Sequence, residues 1–164
     1  MPSTFANPLL FLLDANACNA RQQLGELNEL ESMARVGLIE LLYTETTWDE
    51  AQLGSSDRRG KVEQFFFVGL DNDEENTKLQ MAWRNSIAAV VFPSGIANVT
   101  ERRDVEALLT AKISGGRFIT RDGASKTQRG GILGHKHQLA ELGIEVLSFS
   151  EALTCAQTAL NHRF

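Results

Sequence analysis

The hydrophobic positions of the chain fall into short apolar runs that alternate with amphipathic segments. The run Leu9 to Leu13 is continuously apolar, and a strand without polar alternation is typical of a parallel sheet that is covered on both faces. Residues 17–36 carry apolar side chains at spacings of three and four, which predicts a helix that Gly37 ends. Residues 38–43 predict a second strand, and Thr44 is the expected N-cap of the helix after it.

The same alternation continues to the end of the chain. The remaining predicted elements are a strand at 65–68, a helix at 74–90, a helix capped by Thr100, a strand at 117–120, a helix at 132–142, a strand at 144–147 and a short helix from residue 150. Strands that alternate with helices favour a parallel sheet with helices on both faces. The sequence therefore predicts an α/β fold, a three-layer α/β/α sandwich around a central parallel sheet of four to five strands.

The two middle helices are each expected to bury one apolar face, because their apolar residues recur at helical spacing. The residues expected on the inner face of the first are Leu79, Trp83, Ile87 and Val90. Those expected on the inner face of the second are Val105, Leu108, Leu109 and Ile113. Pro93 separates the two helices.

Length and composition predict one globular domain. The chain has 164 residues, of which 43% are hydrophobic and 23% charged, as is ordinary for a soluble domain. We expect a single domain over residues 1–164, with its core at about 8–153 and a tail at 154–164. The net charge of -5 argues against a protein that coats duplex nucleic acid.

The cysteines and the N-terminal region predict a cytoplasmic protein. Cys18 and Cys155 lack the spacing of a zinc site and are interpreted as free thiols in a reducing compartment. The apolar run that Asp14 ends is too short to cross a membrane, and no basic region of a signal peptide precedes it. No membrane association is expected.

Four carboxylates are expected at the carboxyl edge of the predicted sheet, where ligands bind in folds of this kind. Asp14 and Asp122 follow the ends of two predicted strands. Glu50 lies in the helix that begins at the same edge, and Asp104 lies in the first turn of the helix that precedes the strand of Asp122. Because close carboxylates repel each other, the expected occupant is a hard divalent cation, Mg²⁺ or Mn²⁺.

All four carboxylates also have simpler interpretations, and that of Glu50 is a solvated surface residue on a helix. Asp14 can be a loop or capping residue, Asp104 can favour the helix dipole, and Asp122 can begin a turn with Gly123. Asp14-Ala15-Asn16 also has a partial likeness to phosphatases that form an aspartyl phosphate, although those enzymes generally need a second Asp where Asn16 stands.

Histidine, aromatic and basic residues offer further candidates. His135 and His137 do not share a helix face, which favours a surface position over a metal pair. The run 65–67 of phenylalanines is expected in the core rather than as a base-stacking platform. Four basic residues either hold an RNA backbone near the site or are ordinary surface charges: Arg121, Lys126, Arg129 and Lys136.

Taken in order, these motifs resemble the PIN domain family of nucleases over roughly residues 8–153. Leu-Leu-Asp-Ala-Asn at 12–16 is similar to the family's opening strand, and 44–50 is similar to its pattern of Ser or Thr followed six residues later by Glu. The block 104–122 resembles the Asp-led helix, glycine turn and Thr-x-Asp strand end of the family. Residues 142–150 resemble its final strand and helix.

The resemblance implies a metal-dependent endoribonuclease that hydrolyses RNA phosphodiester bonds. It implies that the catalytic and metal-binding residues are Asp14, Glu50, Asp104 and Asp122. Glu45 and Asp49 remain alternatives to the glutamate of this set. Thr120 would orient the site or contact phosphate, and Asn16 would hydrogen-bond a ligand or a metal-bound water.

The resemblance also implies partners. RNA, single-stranded by preference, is the expected substrate, and a homodimer is expected because the family forms dimers. Many members are toxins that an antitoxin holds silent. Segments 71–75 and 92–99 are extra length compared with many small toxins, so the toxin assignment stays open. A non-catalytic RNA- or partner-binding module on the same fold is the competing hypothesis.

Overall fold

The computed structural model describes residues 8–14, 17, 24–44, 67–68, 74–123 and 130–162, without the side chains of 67–68 and 74–76. The described strands are β1 (Leu9–Leu13), β2 (Ile39–Thr44), β3 (Phe67–Val68), β4 (Arg117–Ile119) and β5 (Val146–Leu147). The described α-helices are α1 (Gly25–Arg35), α2 (Glu74–Val91), α3 (Val99–Ser114), α4 (Lys136–Glu141) and α5 (Phe149–Asn161). A 3₁₀ helix (Ile132–His135) leads directly into α4.

The five strands form one parallel sheet in the order β3-β2-β1-β4-β5. β1 lies at its centre, with Leu13 opposite Tyr43 on one side and Ile119 on the other. The prediction of a parallel sheet of four to five strands is therefore confirmed.

Alternate residues of β1 enter two separate cores, one on each face of the sheet. Phe11 and Leu13 pack with apolar residues of α1 and α5. Leu12 packs with apolar residues of α2, α3 and α4 on the opposite face. The three are fully buried, which explains why this strand has no polar position. The three-layer α/β/α arrangement is also confirmed.

The ends of the helices agree with the glycine signals of the sequence more closely than with the predicted caps. Gly37 follows α1 with φ 76° and Gly115 ends α3 with φ 70°, a left-handed conformation that costs glycine little. The N-cap of α3 is Asn98 rather than Thr100, because the Asn98 side chain accepts a hydrogen bond from the amide of Glu101 at 2.9 Å. Thr44 is the last residue of β2 and is fully buried; the helix it was expected to cap lies outside the described residues.

Two residues predicted for inner helix faces are partly exposed instead. Leu79 is 48% exposed and Ile113 is 41% exposed. The guanidinium of Arg84 on α2 donates two hydrogen bonds to the carboxylate of Glu106 on α3, which raises the pKa of Arg84. This ion pair lies on a partly polar face of α2. The buried residues of α2 are Gln80, Ile87 and Val91.

The C-terminal helix packs on the domain itself. α5 begins with a capping box in which Ser148 and Glu151 each accept a hydrogen bond from the other's backbone amide. Ala152 and Ala156 are buried in the core that α1 shares. Cys155 is a free thiol on this helix. None of the helices in the described part of the chain is both long and apolar enough to cross a membrane.

Truncation of a side chain in the central strand is expected to lower the free energy of unfolding more than truncation of an exposed apolar side chain. Leu12 is fully buried and Met81 is 55% exposed. We predict that Leu12→Ala lowers the free energy of unfolding by about 2–5 kcal/mol, because it leaves a cavity in the core. Met81→Ala should change it by less than about 0.5 kcal/mol. Urea denaturation of both variants tests this, and equal costs would contradict the two-core description.

The capping box of α5 predicts a pH-dependent contribution to stability. Lys136 Nζ donates to Glu151 Oε1 at 2.7 Å, and this bond, followed by the Ser148 amide, lowers the pKa of Glu151 below its ordinary value. Ionised Glu151 therefore stabilises the fold above its unfolded-state pKa, and the contribution is lost as the pH falls through the lowered value.

We accordingly expect Glu151→Gln to lower the melting temperature at neutral pH and to match the wild type once the pH is below the folded-state pKa of Glu151. Thermal denaturation between pH 3 and pH 7 measures this. The control is Glu141→Gln, which removes an exposed carboxylate from α4. A deficit of Glu151→Gln that persists unchanged in acid would contradict the role of the ionised carboxylate.

Candidate functional site

The pairing of β1 with β4 brings two of the predicted carboxylates to one edge of the sheet. Leu13 and Ile119 are opposite each other at the carboxyl ends of these parallel strands. Asp14 continues the pairing, since its amide donates to the carbonyl of Ile119 at 3.1 Å. Asp122 follows β4 after two further residues. The edge predicted from the strand ends is therefore the edge at which Asp14 and Asp122 lie.

Thr120 connects the two aspartates through one buried hydroxyl. Its Oγ1 donates to Asp14 Oδ2 at 2.7 Å and accepts from the backbone amide of Asp122 at 3.0 Å. Thr120 is fully buried and Asp14 is 7% exposed. A carboxylate with so little access to water needs hydrogen bonds to offset its desolvation. The hydroxyl supplies one of them and also fixes the direction of the Asp14 side chain.

Asp122 is also held by the first two residues of the 3₁₀ helix, Ile132 and Leu133. The amide of Ile132 donates to Asp122 Oδ2 at 2.9 Å, and the amide of Leu133 donates to the carbonyl of Asp122 at 2.9 Å. Both the side chain and the backbone of Asp122 are thus bonded to one short segment. The aspartate is half-buried, so its carboxylate is fixed in orientation while remaining accessible.

Asp104 belongs to α3, the helix that precedes β4. α3 begins at Val99, so Asp104 is in its second turn, about 7–8 Å of helix rise beyond the first residue. The prediction that Asp104 occupies the first turn was wrong, because the helix begins earlier than Thr100 suggested. Asp104 is half-buried. Within residues 8–14, 24–44, 74–123 and 130–162, no three acidic, histidine or cysteine side chains form a group that could hold a metal ion.

The remaining predicted site residues divide into described and undescribed positions. Arg121 is described and exposed, directly between Thr120 and Asp122. Lys136 forms a salt bridge with Glu151 on α5, which agrees with the interpretation of Lys136 as an ordinary surface charge. The predicted residues that lie outside the described part of the chain are Asn16, Glu50, Lys126 and Arg129.

The donor set at this edge suits a hard divalent cation. It consists of oxygen atoms from two carboxylates, and Thr120 bonds to the carboxylate of one, Asp14, and to the backbone amide of the other, Asp122. Mg²⁺ is commonly held by one or two carboxylates and keeps several of its waters. The nearby imidazole of His135 is hydrogen-bonded through Nδ1 to the carbonyl of Gly131 at 3.1 Å. The oxygen chemistry of Asp14 and Asp122 is compatible with Mg²⁺ or Mn²⁺, and Glu50 and Asp104 are candidates to complete the set.

Sequence reasoning missed the segment that holds Asp122. The amide of Ile132 is a backbone donor, and no side chain marks it in the sequence. The pair Gly130-Gly131 comes just before it, and a glycine can be a signal that two parts of the backbone approach each other closely.

The fold is similar to those of solved structures. The structure of VapBC2 from Rickettsia felis bound to a DNA fragment from their promoter matches with a TM-score of 0.52 and 12% identity, over 85% of this chain and 98% of that chain. The structure of FitAB bound to an IR36 DNA fragment matches with a TM-score of 0.50 and 17% identity, over 85% and 95% of the two chains. No protein-family model and no curated protein sequence matches the chain. The likeness shows the fold alone and confirms the PIN-like fold class.

Because Thr120 links the two aspartates, we predict that its hydroxyl contributes more to the free energy of unfolding than its methyl group does. Thr120→Val keeps the shape but removes the donor to Asp14 and the acceptor for the Asp122 amide, so we expect a loss of about 2–3 kcal/mol of stability. Thr120→Ser keeps the hydroxyl and should cost about 1 kcal/mol for the lost methyl group. Urea denaturation of the two variants measures this. A valine variant as stable as the serine variant would argue against the link.

Proposed function

We propose that this protein is a metal-dependent endoribonuclease that hydrolyses RNA phosphodiester bonds at the carboxyl edge of β1 and β4. The observation that carries the proposal is the chain of hydrogen bonds from Asp14 through Thr120 to Asp122. It orients the carboxylate of Asp14 and links it to the backbone of Asp122, at the edge where folds of this class bind ligands. The resemblance of the sequence to the PIN domain family supplies the reaction, and the PIN-like fold is consistent with it.

The proposed chemistry depends on fixed carboxylates. In this proposal, Mg²⁺ or Mn²⁺ would be held by Asp14 and Asp122 together with Glu50 and Asp104. Such a cation, when bound, lowers the pKa of a water molecule and offsets negative charge on a phosphodiester. Thr120 keeps Asp14 Oδ2 in one direction and the Ile132 amide does the same for Asp122 Oδ2. Because both carboxylates are held before substrate arrives, little reorganisation is needed during the reaction.

Contacts to RNA are proposed for polar residues that adjoin the two aspartates in sequence. Arg121 is exposed between Thr120 and Asp122, where its guanidinium can contact a phosphate. Lys126 and Arg129 follow within the same connection to the 3₁₀ helix, and Asn16 follows Asp14. The net charge of -5 means that such contacts would form a local basic patch on an acidic protein.

Two alternatives remain as proposals. The first is a non-catalytic RNA- or partner-binding module on the same fold. The second is a toxin held silent by an antitoxin. The family that the sequence resembles contains many such toxins, and the chain shares its fold with chains of the VapBC2 and FitAB structures.

Cleavage of single-stranded RNA in the presence of Mg²⁺ or Mn²⁺ tests the leading proposal. We expect Asp14→Asn and Asp122→Asn each to reduce the rate by about a hundredfold or more, since each removes a charge from the proposed cation site. Glu141→Gln, at an exposed position on α4, is the matched control and should retain full activity. Equal rates in wild type and both aspartate variants would overturn the catalytic assignment.

Binding experiments separate the alternatives. Calorimetric titration of Mn²⁺ into the wild type should show binding that Asp122→Asn weakens. RNA binding that persists in EDTA, with no cleavage under any metal condition, would support the non-catalytic module. Inhibition of cleavage by the product of a neighbouring short reading frame would support the toxin.

A further inference from the structure

The backbone of Gly131 approaches the candidate site closely. A Cβ atom at this position would lie 2.5 Å from Asp122 Oδ1, 2.6 Å from Asp122 Cγ and 2.6 Å from the backbone nitrogen of Gly123. Each of these distances is shorter than real Cβ contacts. The φ of Gly131 is -72°, an ordinary value for any residue. What excludes a side chain here is therefore space, and the atoms that occupy the space include a proposed metal ligand.

The close approach follows from the hydrogen bonds that residues 131–134 make. Ile132 donates its amide to Asp122 Oδ2 and Leu133 donates to the Asp122 carbonyl, both at 2.9 Å. The carbonyl of Gly131 accepts from the amide of Gly134 at 2.9 Å as the 3₁₀ helix begins. These bonds draw residues 131–133 onto Asp122. The Gly131 backbone lies against the carboxylate because the residues after it are bonded to the same aspartate.

We propose that Gly131 is a positioning residue, which sets the orientation of the Asp122 carboxylate. Without a side chain at 131, Oδ2 can reach the Ile132 amide while Oδ1 lies against the glycine backbone. A methyl group there would displace the carboxylate and break its bond to Ile132. The consequence for cation binding rests on the proposed function, whereas the orientation of the carboxylate does not.

The neighbouring glycine provides a matched control. Gly130 is exposed, and a Cβ built on it meets nothing within 4 Å. Gly→Ala restricts the unfolded chain by the same amount at either position. A difference between Gly131→Ala and Gly130→Ala therefore reports the space around residue 131 and not the general effect of losing a glycine.

The first measurement requires no metal. Hydrogen exchange of the Ile132 amide, followed by NMR, reports its bond to the Asp122 carboxylate. We expect exchange at least about tenfold faster in Gly131→Ala than in wild type, because a hydrogen bond to a charged group is lost. Gly130→Ala should exchange at the wild-type rate. Ile132 protection that is the same in Gly131→Ala and Gly130→Ala would overturn the proposal.

The second measurement connects the orientation to cation binding. Calorimetric titration of Mn²⁺ should show affinity about 10–100-fold weaker in Gly131→Ala, as is typical when a group that orients a metal ligand is removed. Gly130→Ala should bind as the wild type does. Faster Ile132 exchange together with unchanged Mn²⁺ affinity would overturn the role in cation binding.

Failure of the proposed function is distinguishable from failure of this inference. A wild type that binds no Mn²⁺, with Ile132 exchange still accelerated only in Gly131→Ala, would reject the metal site and support the orienting role. Should Gly131→Ala not fold, Asp122→Ala removes the acceptor and retains the glycine. Accelerated Ile132 exchange in that variant supports the bond on which the proposal depends, and wild-type protection overturns it.

Discussion

The burial of β1 on both faces is the constraint on which the rest of the structure depends. Phe11, Leu12 and Leu13 have no exposure to solvent, so the strand is stable only when helices cover the sheet on both sides. Its neighbours must be parallel to it for helical connections to provide that cover. Parallel strands in turn end at the same edge, and this is why the residues after β1 and β4 come together.

The two aspartates at that edge are costly for the fold and are held by hydrogen bonds that offset the cost. Asp14 is almost fully buried, and Thr120 is fully buried beside it. The hydroxyl of Thr120 donates a hydrogen bond to Asp14 Oδ2 and accepts one from the amide of Asp122. The same bonds that stabilise the buried groups also restrict their orientation. Stability and preorganisation of the site therefore have one physical origin.

Charged side chains join the helices on one face of the sheet at a distance from the aspartates. Arg84 of α2 is paired with Glu106 of α3. Lys112, near the end of α3, lies 4.8 Å from the ring centroid of Trp83 and donates to the carbonyl of Leu142 at 2.5 Å. These contacts tie α2, α3 and the end of α4 to one another.

Several features of the fold and the site followed from local sequence alone. The apolar run before Asp14 specifies a doubly buried strand whatever its neighbours are, because no other environment hides five consecutive apolar side chains of a strand. Gly37 and Gly115 specify helix ends because their left-handed backbone is costly for other residues. The positions of Asp14 and Asp122 at one edge followed once both strands were recognised as parallel.

Tertiary structure decided the features that depend on pairs of residues distant in the sequence. Helical periodicity allows more than one inner face for α2, and the assembled fold buries Gln80, Ile87 and Val91 while it leaves Leu79 48% exposed. The space that excludes a side chain at 131 exists only because Ile132 is bonded to Asp122. Helical periodicity depends on the residues of one element alone, whereas the packing of that element depends on the atoms of the other elements around it. The sequence alone therefore determined the central strand, the helix ends marked by Gly37 and Gly115 and the edge of the site, and the contacts that orient its carboxylates were decided by the assembled fold.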